Sequence, residues 1–149
     1  MKSIGSIVYF ICLIFLIIKF LNILIGNINA VIELNGLDFA FDELYPMVVF
    51  HGLFIEPIII LISILGFAVR KRIGFVLAMV YPYYIITLTL LEIFELPNYF
   101  GAINLPVISY AIFILVGANY TRTTQVLVKS PDFRFRLYGN LISLAIGLA

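Results

Sequence analysis

Four long apolar runs constrain this chain more than any other feature of its sequence. The runs cover about residues 4–32, 46–69, 73–96 and 105–128. A helix needs about 20 apolar residues to cross about 30 Å of hydrocarbon. An open strand would leave backbone hydrogen-bonding groups unsatisfied in lipid, so the runs predict four transmembrane helices in an all-α bundle.

Composition supports the same interpretation. The chain is 64% hydrophobic and only 11% charged, whereas soluble domains are about half apolar and about a quarter charged. A soluble fold of this length could not hide so much apolar surface, because much of its area faces water. We therefore expect one integral membrane domain over residues 1–149. The first run is longer than a signal-peptide core, so we expect an uncleaved transmembrane helix.

The charges between the runs predict an orientation. Residues 33–45 carry four acidic side chains and no basic ones, and residues 97–104 carry no basic side chain. The turn at 70–72 and the region after residue 121 are rich in Lys and Arg. Because Lys and Arg concentrate in cytoplasmic loops, both termini and this turn are predicted to be cytoplasmic. The expected location is the cytoplasmic membrane, crossed several times.

Two further segments are apolar or amphipathic but too short to cross. Leu37, Phe41 and Leu44 follow helical spacing and predict a short interfacial helix in the first loop. Residues 137–149 form an apolar tail that is too short to span the bilayer. We expect this tail to lie against the bundle or at the membrane interface rather than to form a fifth crossing.

The first two apolar runs each contain a charge. Lys19 is in the middle of the first and Glu56 is within the second. A charge at membrane depth costs several kcal/mol, on the order of 3, unless it is paired or hydrated. Consecutive helices are antiparallel, and the two residues have similar depth. The sequence therefore predicts an ion pair between Lys19 and Glu56, with charged atoms within about 4 Å or bridged by water.

Small and polar residues share a helical face with these charges, which predicts close helix packing there. The predicted faces are Gly5, Cys12, Lys19, Asn22 and Gly26; Gly52, Glu56, Ser63, Gly66 and Arg70; and Gly74, Ala78, Tyr81 and Glu92. Pro82 removes a backbone hydrogen bond from the third helix and predicts a kink.

These residues define a candidate polar site in the outer half of the bundle. Its predicted members are Lys19, Glu56, Tyr81 or Tyr84, and Glu92, with His51 at the outer mouth. Such a site could bind a lipid headgroup or a quinone, or relay protons. The alternative is a structural ion pair with tyrosines that fix the helix register. At the opposite face, Arg70, Lys71 and Arg72 are candidates for contact with anionic lipid headgroups.

Other chemistry has little support in the sequence. One histidine excludes bis-histidine haem ligation within the chain, and one cysteine provides no thiolate cluster. No phosphate-binding glycine loop or nucleophile-elbow motif is present. We therefore expect no cofactor, no metal, no catalytic residues and no nucleic-acid partner.

Part of the chain resembles the DoxX-like group of small four-helix membrane proteins. The matching features are Lys19-Phe20-Leu21, Glu56, the glycine at 66 before a basic turn, and residues 74–78 at the start of the third helix. This resemblance covers about half the chain, the first three helices. It implies a four-helix bundle and association with membrane redox or stress-defence complexes, in some members as a quinone-linked oxidoreductase subunit.

The leading functional expectation is a non-catalytic accessory or structural subunit of a larger membrane complex. The alternative is a carrier, quinone-linked or proton-handling bundle that uses Lys19 and Glu56. An oligomeric channel ranks last, because the inner half of the bundle offers few polar residues to line a pore.

Overall fold

The structure is a computed structural model that describes residues 3–35, 54–69, 71–95, 105–128 and 133–148. Every secondary-structure element in these ranges is helical, which confirms the predicted all-α class. The helices are α1 (Ser3–Asn35), α2 (Ile55–Ala68), α3 (Arg72–Glu95), α4 (Leu105–Asn119), α5 (Thr121–Leu127) and α6 (Phe133–Leu148). Residues 46–53 and the interfacial helix predicted around 37–44 lie outside the described residues.

Helices α1 and α2 run in opposite directions. Near the start of α1, the Tyr9 hydroxyl donates a 2.7 Å hydrogen bond to the carbonyl oxygen of Phe67, close to the end of α2. Farther along α1, Lys19 approaches Glu56 in the first turn of α2. These two contacts run in opposite chain directions, so α1 and α2 are antiparallel and the register predicted from the two charges is correct.

Helices α2 and α3 approach each other closely, and glycine permits this contact. A Cβ on Gly66 would lie 2.7 Å from the carbonyl carbon of Leu77, and closer still to the backbone nitrogen of Ala78. A Cβ on Gly74 would meet the carbonyl oxygen of Val69. Real side chains do not reach such separations, so these positions require glycine. The predicted small-residue faces of helices two and three therefore meet each other.

The predicted face on the first helix is only partly buried. Gly5 and Cys12 are buried, whereas Asn22 is exposed. A Cβ on Gly26 would meet nothing within 4 Å. The reason is length: α1 has 33 residues and α2 has 14. Beyond Lys19, the described part of α2 offers α1 no partner surface.

The predicted fourth helix is broken. Its expected range, 105–128, contains both α4 and α5, because Tyr120 has an extended backbone with ψ of 125°. The Thr124 hydroxyl donates to the carbonyl oxygens of Ala118 and Tyr120 at 2.9 and 3.1 Å. Threonine side chains often compete in this way with regular helix bonding. As a result, α5 turns back to pack against α1.

The C-terminal apolar segment is a longer helix than predicted and belongs to the bundle. Helix α6 packs along α3 in the parallel direction, with Phe135 beside Phe75, and Gly147 beside Tyr84. Packing against the bundle was one of the two positions expected for this segment. The last described residue, Leu148, lies at the level of Tyr84, about 18 Å along α3 from Arg72. The C-terminal end of α6 therefore does not lie at the end of the bundle where α1 begins.

Two helices are long and apolar enough to cross a bilayer, over Ile4–Glu33 and Arg72–Leu91. Two shorter apolar helices are present at Ile55–Ala68 and Ile108–Asn119. The core between them is almost wholly apolar, with Leu16, Phe67 and Phe75 fully buried. Large aliphatic side chains also cover the outer surface of α1, α2, α4 and α6.

Candidate functional site

The predicted ion pair between α1 and α2 is present. The Lys19 ammonium nitrogen lies 4.0 Å from Oε1 of Glu56, as the prediction required. Lys19 is 16 residues from Ser3, and Glu56 is 13 residues from Val69, so both charges lie about 20–24 Å from the end of the bundle at which α1 begins. The side chains keep 30% and 33% of their surface exposed. The pair is therefore reachable from outside the bundle.

Tyr81 completes this site from α3. Its hydroxyl donates a 3.0 Å hydrogen bond to Oε1 of Glu56, the same oxygen that Lys19 approaches. Tyr81 is fully buried, so its phenol is rigidly placed beneath the carboxylate. A hydrogen bond to a charged acceptor is stronger than one between neutral groups. We call Lys19, Glu56 and Tyr81 the polar site.

Ser63 fixes the position of Tyr81. Its hydroxyl donates to the carbonyl oxygen of Leu77 at 3.1 Å and accepts from the backbone N–H of Tyr81 at 3.0 Å. These are the two groups that a regular α-helix joins to each other. Pro82 follows directly, and it has no N–H to donate. Ser63 therefore braces α3 at its proline, one residue from the phenol that binds Glu56.

The other predicted members are placed differently. Tyr84 is half-buried one turn beyond Tyr81, and its backbone packs against Gly147 of α6. Glu92 belongs to α3, but its side chain lies outside the described residues. His51 also lies outside them. Of the predicted set, the structure brings together Lys19, Glu56 and Tyr81.

The basic turn is described in part. Lys71 and Arg72 are exposed, and Arg70 lies outside the described residues. The Arg72 guanidinium carbon lies 5.2 Å from the centre of the Phe135 ring on α6, a cation–π contact. This contact joins the turn to the start of α6, an association that the sequence did not predict.

A second polar cluster joins α3, α4 and α6, and sequence reasoning missed it. The side-chain amides of Asn119 and Asn140 bond to each other in both directions, at 2.8 and 3.2 Å. The Tyr83 hydroxyl donates to Oδ1 of Asn140 at 3.1 Å, and Nη1 of Arg136 lies 3.5 Å from the Asn119 carbonyl oxygen. We call Asn119 and Asn140 the amide pair. The sequence feature that could have indicated this cluster is the presence of one asparagine in each of two apolar segments.

One buried hydroxyl near the polar site has no hydrogen-bond partner in the described structure, that of Tyr110 on α4. Its ring packs edge-on to Tyr81 at 6.5 Å and to Phe15 at 5.8 Å. Aromatic packing therefore links α4 to the polar site without adding a hydrogen bond.

The chemistry available to the polar site follows from its groups. A cation, a carboxylate and a phenol can bind a polar ligand group or exchange a proton. Among the described residues, no three His, Cys, Asp or Glu side chains are grouped so as to hold a metal ion. No nucleophile paired with a base accompanies the site in the described part of the chain. Binding and proton exchange are thus the activities that the arrangement allows.

No protein-family model matches this chain, and no curated protein or solved structure matches it either. The resemblance to the DoxX-like group therefore stays a prediction that rests on the residues quoted above. Of those residues, Lys19 and Glu56 meet in the structure, and Gly66 and Gly74 form the close helix contact.

Proposed function

We propose that this chain is a small non-catalytic subunit of a larger membrane complex. The observation that carries the proposal is the outer face of α1. Tyr9, Cys12 and Leu16 form its buried line, whereas Ile7, Ile14 and other large aliphatic residues are exposed on the opposite side. Soluble monomers rarely expose contiguous apolar patches of more than a few hundred Å² (about 300–600). A face of this kind suits lipid or an apolar helix of a partner.

Blue-native electrophoresis of the protein in membranes from its source tests this assignment. We expect a band much heavier than the chain alone, containing a second polypeptide. A lone small species would contradict a subunit function and would favour an independent carrier. A band built only from this chain would instead favour a homo-oligomeric channel.

The proposed topology has α1 to α4 crossing the bilayer in alternating directions, with the basic turn in the cytoplasm. Helix α6 would enter from the cytoplasmic side along α3 and end within the membrane. Labelling of single cysteines in a Cys12→Ser background tests this arrangement. Impermeant reagent should reach Asp38→Cys and Lys71→Cys from opposite sides and should not reach Leu148→Cys. Labelling of the first two from one side would exclude four crossings.

A second candidate function is supported by the polar site. Lys19 and Tyr81 both approach Oε1 of Glu56, about 20 Å from the basic turn along α2. The side chains of Lys19 and Glu56 remain partly exposed. Charged residues at membrane depth commonly mark ligand or proton pathways. This arrangement suits a quinone-binding or proton-handling bundle, either a carrier or an oxidoreductase subunit of the kind that the DoxX-like resemblance implies.

Titration of the purified protein with a short-chain quinone tests the second candidate, with quenching of tyrosine fluorescence as the readout. Saturable quenching should be lost in Glu56→Gln and in Lys19→Met. Glu33→Gln is the matched control, because Glu33 is an exposed carboxylate on the same helix as Lys19. Equal quenching in wild type and Glu56→Gln would exclude quinone binding at this site.

A further inference from the structure

We propose that Arg72 and Arg134, near the adjoining starts of α3 and α6, bind the phosphate of an anionic phospholipid at the cytoplasmic end of the bundle. The site belongs to α3 and α6 together. It lies about 14 Å along α3 from Tyr81 of the polar site and does not depend on the function of that site.

Parallel packing of α3 and α6 creates this juxtaposition. The ring of Phe135 lies 5.5 Å from the ring of Phe75, one turn into α3. The Arg72 guanidinium carbon lies 5.2 Å from the same ring centre. Arg134 directly precedes Phe135 and is exposed. The contacts of Phe135 therefore bring two exposed arginines that are distant in sequence to the same end of the bundle.

The charge at this end of the bundle favours an anion. The described residues at this end, 71–72 and 133–136, hold four basic side chains and no acidic side chain. In the described part of the chain, neither Arg72 nor Arg134 forms a salt bridge. The described ion pair, Lys19–Glu56, lies far along the bundle. Both guanidinium groups are thus exposed cations in a strongly positive region.

Apolar surface next to the cations distinguishes a lipid from a free phosphate. Ile73 adjoins Arg72 and is 62% exposed, and Tyr138 on α6 is 61% exposed. Leu137 is also exposed beside them. A phospholipid needs cations for its headgroup and apolar surface for its acyl chains. Basic sites between helices on the cytoplasmic side are known to suit anionic headgroups.

Arginine is the appropriate residue for this contact. Its planar guanidinium matches phosphate oxygens in a bidentate manner, which a lysine ammonium cannot do. Stacking on Phe135 already restricts Arg72, so less side-chain freedom is lost when the headgroup binds. The structure therefore points to a defined headgroup site rather than to general attraction between a basic surface and an anionic membrane.

Native mass spectrometry of the detergent-purified full chain, titrated with phosphatidylglycerol or phosphatidylcholine, tests this proposal. We expect tighter binding of phosphatidylglycerol, and a loss of about tenfold in R72Q/R134Q. The control is K71Q/K129Q, which removes the same amount of charge from neighbouring parts of the sequence. This control should retain phosphatidylglycerol affinity within about threefold, because it leaves both guanidinium groups in place. An equal loss in both variants would overturn the site.

Two further measurements keep the test decisive. R72K/R134K preserves the charge and a cation beside Phe135, so it reports on the site even if the glutamine variant does not fold. We expect R72K/R134K to lose affinity as well, and unchanged affinity would overturn the proposed bidentate contact. Competition with inorganic phosphate identifies the source of the ligand. Displacement of phosphatidylglycerol by an equal concentration of phosphate would overturn the lipid assignment.

Discussion

Removing one charge of the polar site should destabilise the protein more than removing both. Two unit charges 4.0 Å apart attract by about 4 kcal/mol at an effective dielectric constant of about 20, and by about 1 kcal/mol in bulk water. About a third of each side chain is exposed, so the attraction should lie between these limits. The bond from the buried Tyr81 hydroxyl adds about 1.5–3 kcal/mol for a charged acceptor.

Breaking a buried pair by removing one partner costs about 3–5 kcal/mol, because one charge is left uncompensated. With partial exposure, we expect Glu56→Gln and Lys19→Met each to lower the free energy of unfolding by about 2–3 kcal/mol. The double variant should lose less than either single variant, about 1–2 kcal/mol, because no unpaired charge remains. The resulting coupling energy is about 2–5 kcal/mol.

Denaturant unfolding of the protein in detergent, followed by far-UV circular dichroism, measures all four members of this cycle. A coupling energy below about 0.5 kcal/mol would refute the reasoning, since independent sites are additive within that limit. It would mean that Lys19 is stabilised without Glu56. Coupling at the expected magnitude would not show whether the pair is structural or binds a ligand, because both cases have the same energetics. The quinone titration distinguishes these two cases.

The remaining predictions concern helix packing. Gly66→Ala should destabilise the protein by several kcal/mol, about 3 or more, because its Cβ would overlap the backbone of α3. Gly26→Ala has open space around its Cβ and should stabilise the protein by up to about 1 kcal/mol. Similar melting temperatures for the two variants would contradict the close helix contact. Ser63→Ala removes two hydrogen bonds and should cost about 1–3 kcal/mol in thermal unfolding, and a neutral result would show that α3 does not need this brace. Asn119→Ala and Asn140→Ala should each increase amide hydrogen exchange in α6, since either change removes both hydrogen bonds of the amide pair between α4 and α6, and unchanged exchange would show that these bonds are not needed to hold the helix.

The pairing of Lys19 with Glu56 shows how much the sequence could predict. Helix boundaries, alternation of direction and depth all follow from apolar run lengths and a rise of about 1.5 Å per residue. Each of these quantities depends only on a short stretch of sequence, so the Lys19–Glu56 pair was predictable before any contact between helices was known. The same applies to Gly66 and Ser63, because small residues on one helical face mark a close approach.

The docking of α6 shows what the sequence left open. Its apolar residues predict a helix that avoids water, but run length alone does not distinguish an interfacial position from a place in the bundle. The tertiary structure decides this through contacts between distant residues: the amide pair with Tyr83, and Arg72 on Phe135. The break at Tyr120 is of the same kind, since it depends on which carbonyl oxygens Thr124 reaches.

The sequence by itself therefore determined an all-helical chain with long apolar runs and one pair of charges at matching positions on neighbouring helices. Hydrophobic burial and charge cost act on each segment separately, so they can be read along the chain. Only the tertiary structure decided the direction of α6, the partner of each asparagine and the contact of Arg72 with Phe135. Those features depend on directional hydrogen bonds and ring contacts between helices, which exist only when specific atoms meet.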